Sequence, residues 1–237
     1  MSGWVKKRFW QNAVVEATDD AFTVTLDGRS LKTPAKAPLL VPTRAVADLI
    51  AAEWDAQGDV IAPDTMPATR AANAAIDKVR GQKAEVTEMI AAYGDSDLLC
   101  YRADAPQELV GRERLAWDPL LDWAAHRYGI KPATFVGVIH APQPAELLAS
   151  MRTDVERLDA FELTAFHDLV SMSGSLIIGL ATIDKFATPQ DLWTASRVDE
   201  EWQIEQWGSD EEAEILAAGR ERAFLDAARF YFALQSA

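Results

Sequence analysis

The sequence predicts an α+β protein: a small β-rich N-terminal domain over residues 1–64 and a larger, mainly helical domain over 65–237. Three observations carry this. The first 42 residues look like strands, with 9–16 and 22–26 rich in Val, Thr and aromatics. Asp27-Gly28 sits between two such runs as a two-residue hairpin signal. After Pro42 the apolar period lengthens to that of a helix and stays there. Strands first and helices later favour α+β over an alternating doubly wound sheet.

In chain order, residues 9–16 and 22–26 read as strands, and 29–33 returns antiparallel after the turn. Pro34, Pro38 and Pro42 punctuate short edge segments, since proline lacks a ladder donor. Thr43 is placed to cap a helix over 44–57, with apolar residues at 46, 49, 50 and 54 and Gly58 beyond its end. A Pro-containing connector spans 60–66. Helices are then expected over 67–80, 82–93, 108–128, 144–158, 160–184, 189–206 and 209–234, with short strands at 98–102 and 134–139.

Composition narrows function. The chain has 237 residues, 49% hydrophobic and 25% charged, enough to bury a core and too apolar to be disordered throughout. The net charge of −14 repels a polyanion, which argues against nucleic acid and for a partner with basic patches. A lone cysteine, Cys100, excludes an intrachain disulfide and fits a reducing compartment. Residues 1–10 carry Lys6, Lys7 and Arg8 with no apolar stretch behind them, unlike a secretory signal, and no Arg- and Ser-rich presequence is visible. The apolar run at 169–183 is too short and too polar to span a bilayer, so membrane insertion is not expected.

Signs of catalysis are scarce. There is neither a phosphate-binding loop nor G-x-G-x-x-G, so no nucleotide and no cofactor are expected. His126, His140 and His167 lie far apart without a second ligand at helical spacing, so no metal is expected. Cys100 sits in an apolar segment and reads as a buried thiol. Ser173-Gly174-Ser175 lacks the G-x-S-x-G elbow and reads as a close approach of two helices. The enzymatic alternative is a small-molecule pocket between the two domains with Glu53, Asp77, Asp97 and Arg102 as its polar groups.

Tryptophan and acid stand out instead. Of eight tryptophans, Trp202 and Trp207 are five apart, so on a helix their rings diverge by about 140°. One can pack inward while the other faces a groove or a partner. Around them cluster Glu200, Glu201, Glu205, Asp210, Glu211, Glu212 and Glu214. With one helix expected to run to 206, Glu200, Glu201 and Glu205 fall toward its C-terminal end, where the dipole disfavours anions; Glu211 and Glu212 open the next, where it favours them.

A set of phrases in fixed order resembles a known family. They are Lys7-Arg8-Phe9-Trp10, Leu26-Asp27-Gly28-Arg29, Lys32-Thr33-Pro34, Glu53-Trp54-Asp55-Ala56-Gln57, Met66-Pro67-Ala68-Thr69, Ala75-Ile76-Asp77, Asp97-Leu98-Leu99-Cys100-Tyr101-Arg102-Ala103, Trp117-Asp118-Pro119-Leu120-Leu121-Asp122-Trp123, Glu201-Trp202-Gln203, Trp207-Gly208 and Asp210-Glu211-Glu212-Ala213. Together they resemble the assembly chaperones of the alpha subunit of F-type ATP synthase. Ala68 departs from the pattern, standing where a larger apolar residue is expected. The resemblance implies a protein that is not an enzyme, that binds the free alpha subunit, covers its beta-facing interface and is displaced during assembly. It implies a bacterial cytoplasmic setting, or the mitochondrial matrix for a processed eukaryotic chain. It also implies a dependence on C-terminal acidic residues and points to Glu201 and Glu212 alike. The candidate partner-binding set is therefore Glu201, Trp202, Gln203, Trp207, Glu211 and Glu212.

Overall fold

In the computed structural model, which describes residues 7–236, the chain opens with a twisted antiparallel ribbon. Strands β1 (Ala13–Ala17), β2 (Phe22–Leu26) and β3 (Arg29–Ser30) lie in the order β1-β2-β3, with Ala13 opposite Leu26 and Thr25 opposite Ser30. Asp27 and Gly28 have φ of 48° and 80°, the pair of left-handed residues that a type I′ turn needs to match strand twist. The Asp27 carboxylate accepts from the backbone N–H groups of Gln11 and Asn12, which ties the turn to the start of β1.

β1 begins at Ala13, not at residue 9. Phe9 and Trp10 are held by side chains instead: Trp10 is buried edge-on against Trp54, and the Arg8 guanidinium donates to the carbonyls of Trp10, Asp55 and Gln57. At Gly28 no atom stands where a Cβ would go, so the left-handed backbone alone demands glycine. Gly28→Val is expected to destabilise the chain by about 1–2 kcal/mol. A thermal melt checks it, and an unchanged midpoint would show that the turn tolerates a β-branched residue.

Helix α1 (Arg44–Asp55) starts where expected, the Thr43 hydroxyl accepting from the Val46 N–H and donating to the Ala233 carbonyl. It buries Val46, Ala47, Ile50 and Ala51. Helix α2 (Pro67–Asp77) has proline in its first turn and lays Ala68, Ala72 and Ala75 inward. Ala68 is thus a buried residue in the first turn of α2, where its N–H meets the Glu53 carboxylate at 2.5 Å.

Beyond α3 (Lys83–Ala91), 3₁₀ turns at Ala92–Ser96 and Leu98–Cys100 lead into strand β4 (Tyr101–Arg102). Helix α4 (Gln107–Tyr128) follows, then β5 (Phe135–Val136), which pairs parallel to β4. The helical part therefore holds a small sheet of its own, at the two places where short strands are expected. The remaining helices are α5 (Ala145–Arg157), α6 (Ala160–Ser173), α7 (Leu176–Ile183), α8 (Pro189–Ser196), α9 (Val198–Trp207) and α10 (Glu211–Leu234).

Two expected helices are each broken in two. The one expected over 160–184 stops at Gly174, whose φ is 72°, and Ser175 recaps α7 by accepting from the Ile178 N–H. Ser173-Gly174-Ser175 is thus a helix stop and start. The close helix approach lies at Gly179, where an added Cβ would meet a Val170 methyl at 2.6 Å and the Phe166 ring at 3.1 Å. The helix expected over 189–206 breaks at Arg197, with φ −107° and ψ 6°.

The chain forms two compact units. The first takes the chain up to Lys83 together with Asp159–Ala165 and the stretch from Arg229; the second takes Ala84–Leu158 and Phe166–Ala228. The first unit therefore includes α2, beyond the expected boundary after residue 64, and receives two later segments. In the second, α7 is buried from Leu176 to Thr182, and the Trp117 indole donates to the Ala195 carbonyl at 2.7 Å. Among the described residues, no helix is long and apolar enough to cross a membrane.

Candidate functional site: an acidic and apolar helix corner

The break at Arg197 changes how the acidic segment reads. Asp199, Glu200 and Glu201 occupy the first turn of α9, where the helix dipole favours anions. The expectation that Glu200 and Glu201 sit near a helix end that disfavours them is corrected accordingly. Glu200 pairs with Arg197 at 2.8 Å. Glu205 does lie toward the C-terminal end of α9, and its charge is met by Arg112 of α4 at 2.7 Å, which holds its carboxyl below the usual carboxylate range. Arg112 also pairs with Glu108 and lies over the Trp202 ring, 4.9 Å from its centre.

The two tryptophans diverge as the helical geometry predicts. Trp202 is 8% exposed and packs inward, so it supports the surface from beneath and does not form part of it. Trp207, the last residue of α9, is 78% exposed. Gly208, with φ 84°, then turns the chain into α10. Glu201, Gln203, Glu211 and Glu212 are exposed, as are Asp210 and Glu214. The structure thus brings five of the six expected residues to the surface of one helix-turn-helix corner.

Two residues that the sequence reading passed over complete it. Ile215 and Leu216 are 67% and 58% exposed on α10. Each follows a carboxylate by one helical turn, Glu211 before Ile215 and Glu212 before Leu216, so acid and aliphatic side chains share a face. Adjacent bulky aliphatics point about 100° apart, so one narrow core stripe cannot take both. Residues 211–220 are exposed on nearly every face, and α10 becomes anchored further on, where Gln190 bonds Glu221 and Phe224 packs on the Trp193 ring. A helix start left uncovered on so many sides, with large apolar groups on it, is a surface suited to a partner.

The polar groups of the enzymatic alternative are occupied otherwise. Glu53 caps α2 by accepting from the N–H groups of Ala68 and Thr69 and from the Thr69 hydroxyl. Asp77 accepts from the Thr33 hydroxyl and the Ala35 N–H. Asp97 is fully buried and accepts from the Ser175 hydroxyl and from the N–H groups of Leu99 and Ile177. Burial pushes its carboxyl up to about 6 against the lowering effect of those bonds. Arg102 donates to the Leu99 carbonyl and pairs with Asp118 at 2.8 Å. Each of the four holds backbone or another side chain in place.

Burial pushes the Cys100 thiol up, which keeps it protonated and unreactive. His140 lies between Tyr101 and Asp95, and His167 bonds its neighbour Asp168. Among the described residues, no group of three His, Cys, Asp or Glu side chains is arranged to hold a metal ion. A cleft of about 330 Å³ in the second unit mixes Arg102, Arg114 and Lys131 with Glu113, Asp118 and Asp122.

Comparison with known proteins gives the family. Residues 7–125 match the model of the ATP12 chaperone protein family. Among characterised proteins, the chain is 26% identical over 219 residues to the mitochondrial protein atp12 of Schizosaccharomyces pombe, covering 87% of this chain and 75% of that protein. Among solved structures, Atp12 from Paracoccus denitrificans superposes with a TM-score of 0.92 at 46% identity, over 96% of this chain and 98% of the other. The Atu1473 protein of Agrobacterium tumefaciens superposes with a TM-score of 0.91 at 40% identity, over 98% of this chain and 86% of the other. The family model covers half the chain and two solved relatives match almost all of it: the chain belongs to the ATP12 chaperone family.

Proposed function

We propose that this chaperone holds the free alpha subunit of F-type ATP synthase, covers its beta-facing interface and gives it up as the catalytic head is assembled. The observation that carries the reading is the corner formed by α9 and α10. Trp207, Ile215 and Leu216 offer apolar area that the described residues leave exposed, and Glu201, Glu211 and Glu212 flank it. An unassembled subunit exposes an apolar interface that would otherwise aggregate. Apolar groups on the corner can take up such a surface, while the carboxylates steer encounter with basic patches and fix register. Holding and release by displacement require neither nucleotide nor catalysis, so the protein acts as a binder and not as an enzyme. Its place of action is the compartment in which the head is built, the bacterial cytoplasm or the mitochondrial matrix.

The test is co-expression with the alpha subunit. Soluble alpha is expected to rise, and the two chains are expected to elute together on sizing. Equally insoluble alpha, with no joint peak, would refute the reading.

A further inference from the structure

We propose that Glu113 and Asp199 share a single proton, and that the resulting carboxyl–carboxylate hydrogen bond is the latch that seats the first turn of α9 on α4. The pair lies beneath the corner and not on it. Glu113, in the middle of α4, is 1% exposed. Its two oxygens both face the Ala103 N–H, at 3.1 Å each, which is a single donor for a whole carboxyl group. Asp199 comes from α9, and its Oδ1 is buried without a hydrogen bond from any N–H or hydroxyl. An acceptor in that position costs free energy unless something donates to it.

The Glu113 and Asp199 side chains lie within hydrogen-bonding reach of each other. Glu113 is buried and Asp199 half-buried, so two ionised carboxylates here repel, and the repulsion is stronger than in water because the surroundings screen it less. One proton between them removes the repulsion and supplies the missing donor in the same step, as a short charge-assisted O–H···O bond. The cation facing the pair is Arg102 of β4, which favours ionisation, but its guanidinium also serves Asp118 and the Leu99 carbonyl. Of the other cations nearby, Arg112 of α4 is bound to Glu205 and Glu108, Arg197 at the cap of α9 to Glu200, and Arg114 of α4 lines the same cleft as Glu113. Burial, ahead of the Asp199 charge, pushes the Glu113 carboxyl up to about 7, and burial also raises Asp199. The two groups titrate as a pair, so the retained proton belongs to both.

α9 carries Glu201, Trp202, Gln203 and Trp207, so whatever fixes its first turn fixes the corner. Glu113 and Asp199 are thus positioning residues for partner binding. The sign follows from the raised carboxyls: the latch is closed below neutrality and opens as pH rises through about 7.

This consequence for binding rests on the proposed function, so the pair is tested first in the isolated chain. Carboxyl carbon chemical shifts are followed from pH 4 to 9 by NMR, alongside hydrogen-exchange protection of the α9 amides. The expected result is one titration near neutrality shared by both side chains, with α9 protection falling about tenfold or more across it. Glu113→Gln, which keeps an acceptor and brings its own donor for Asp199, is expected to flatten that pH dependence. Should it fail to fold, Asp199→Asn asks the same question from the other side, and the wild-type titration needs no variant. Both carboxyls titrating in the usual carboxylate range, or α9 protection independent of pH, would overturn the latch. Capture of the alpha subunit is then measured over the same range. A loss of affinity parallel to the titration extends the latch to binding, and unchanged affinity confines the pair to the fold and overturns its positioning role. Absence of capture at every pH would count against the proposed partner, while the NMR result still decides the pair.

Discussion

Asp97→Ala is expected to lower the stability of the chain by about 3–4 kcal/mol, among the largest effects of any single substitution in the second unit. The side chain is fully buried. Oδ2 accepts from the Ile177 N–H at 2.9 Å; Oδ1 accepts from the Ser175 hydroxyl at 2.7 Å and from the Leu99 N–H at 3.1 Å. Truncation leaves two backbone N–H groups without their acceptor in a buried site, at about 1–3 kcal/mol each. It also frees the hydroxyl of Ser175, whose oxygen caps α7, a helix buried over seven consecutive residues. Removing the charge returns part of the loss, because burial of the carboxylate is itself unfavourable.

That last effect gives the prediction a second readout. The folded carboxyl is raised from 3.8 to about 6, so in this window the folded chain binds more protons than the unfolded one. The contribution of Asp97 is therefore greatest below pH 3.8, falls as pH rises through about 6, and is flat above that. Asp97→Asn keeps one acceptor, turns an amide donor toward a donor, and should melt between wild type and the alanine variant without this slope. Denaturant unfolding at several pH values checks both. An alanine variant as stable as wild type would show that water or relaxation replaces the three bonds.

The parts of the fold that were legible in the sequence are those with local causes. Asp27-Gly28 specifies its turn because only left-handed residues join two strands so tightly, and Thr43 specifies a helix start because its hydroxyl finds a backbone N–H three residues on. The divergence of Trp202 from Trp207 followed from helical rotation alone. What was not legible had its cause elsewhere in the chain. The stop at Gly174 is masked by apolar residues that run on through 169–183, because both helices it separates are buried. The break at Arg197 has neither Gly nor Pro to mark it, and it reverses the electrostatic meaning of Glu200 and Glu201. Asp97 and Glu53 looked like possible pocket carboxylates because a helix cap supplied from a distant segment leaves no mark in local spacing. Ile215 and Leu216 were overlooked for the opposite reason: in an amphipathic reading aliphatics belong to the core, and only the fold shows that the described residues leave most of both exposed.

Those two residues and Trp207 set the remaining prediction. Trp207→Ala is expected to weaken capture of the alpha subunit about thirtyfold while leaving the melting temperature unchanged. The size follows from the apolar area at stake: an interfacial tryptophan truncated to alanine costs about 2 kcal/mol or more when its ring is a central anchor. The lack of effect on stability follows from its exposure, since a ring in water in the free chain has no core packing to lose. Ile215→Ser and Leu216→Ser should act in the same direction and more weakly, each removing a smaller aliphatic group from the same surface. The acids should behave differently. Glu201→Lys and Glu212→Lys each place a cation in the first turn of a helix, at a cost of about 0.3–1 kcal/mol, so both variants should stay folded. Against a basic partner surface they should slow association and flatten its salt dependence, whereas Trp207→Ala should mainly speed dissociation. Association and dissociation rates at two salt concentrations, with circular dichroism as the control for folding, separate the two classes. Capture by Trp207→Ala at wild-type affinity would remove the corner from the interface. Unfolding of Glu201→Lys and Glu212→Lys would make those carboxylates structural, and wild-type rates in both would leave them as solvated surface.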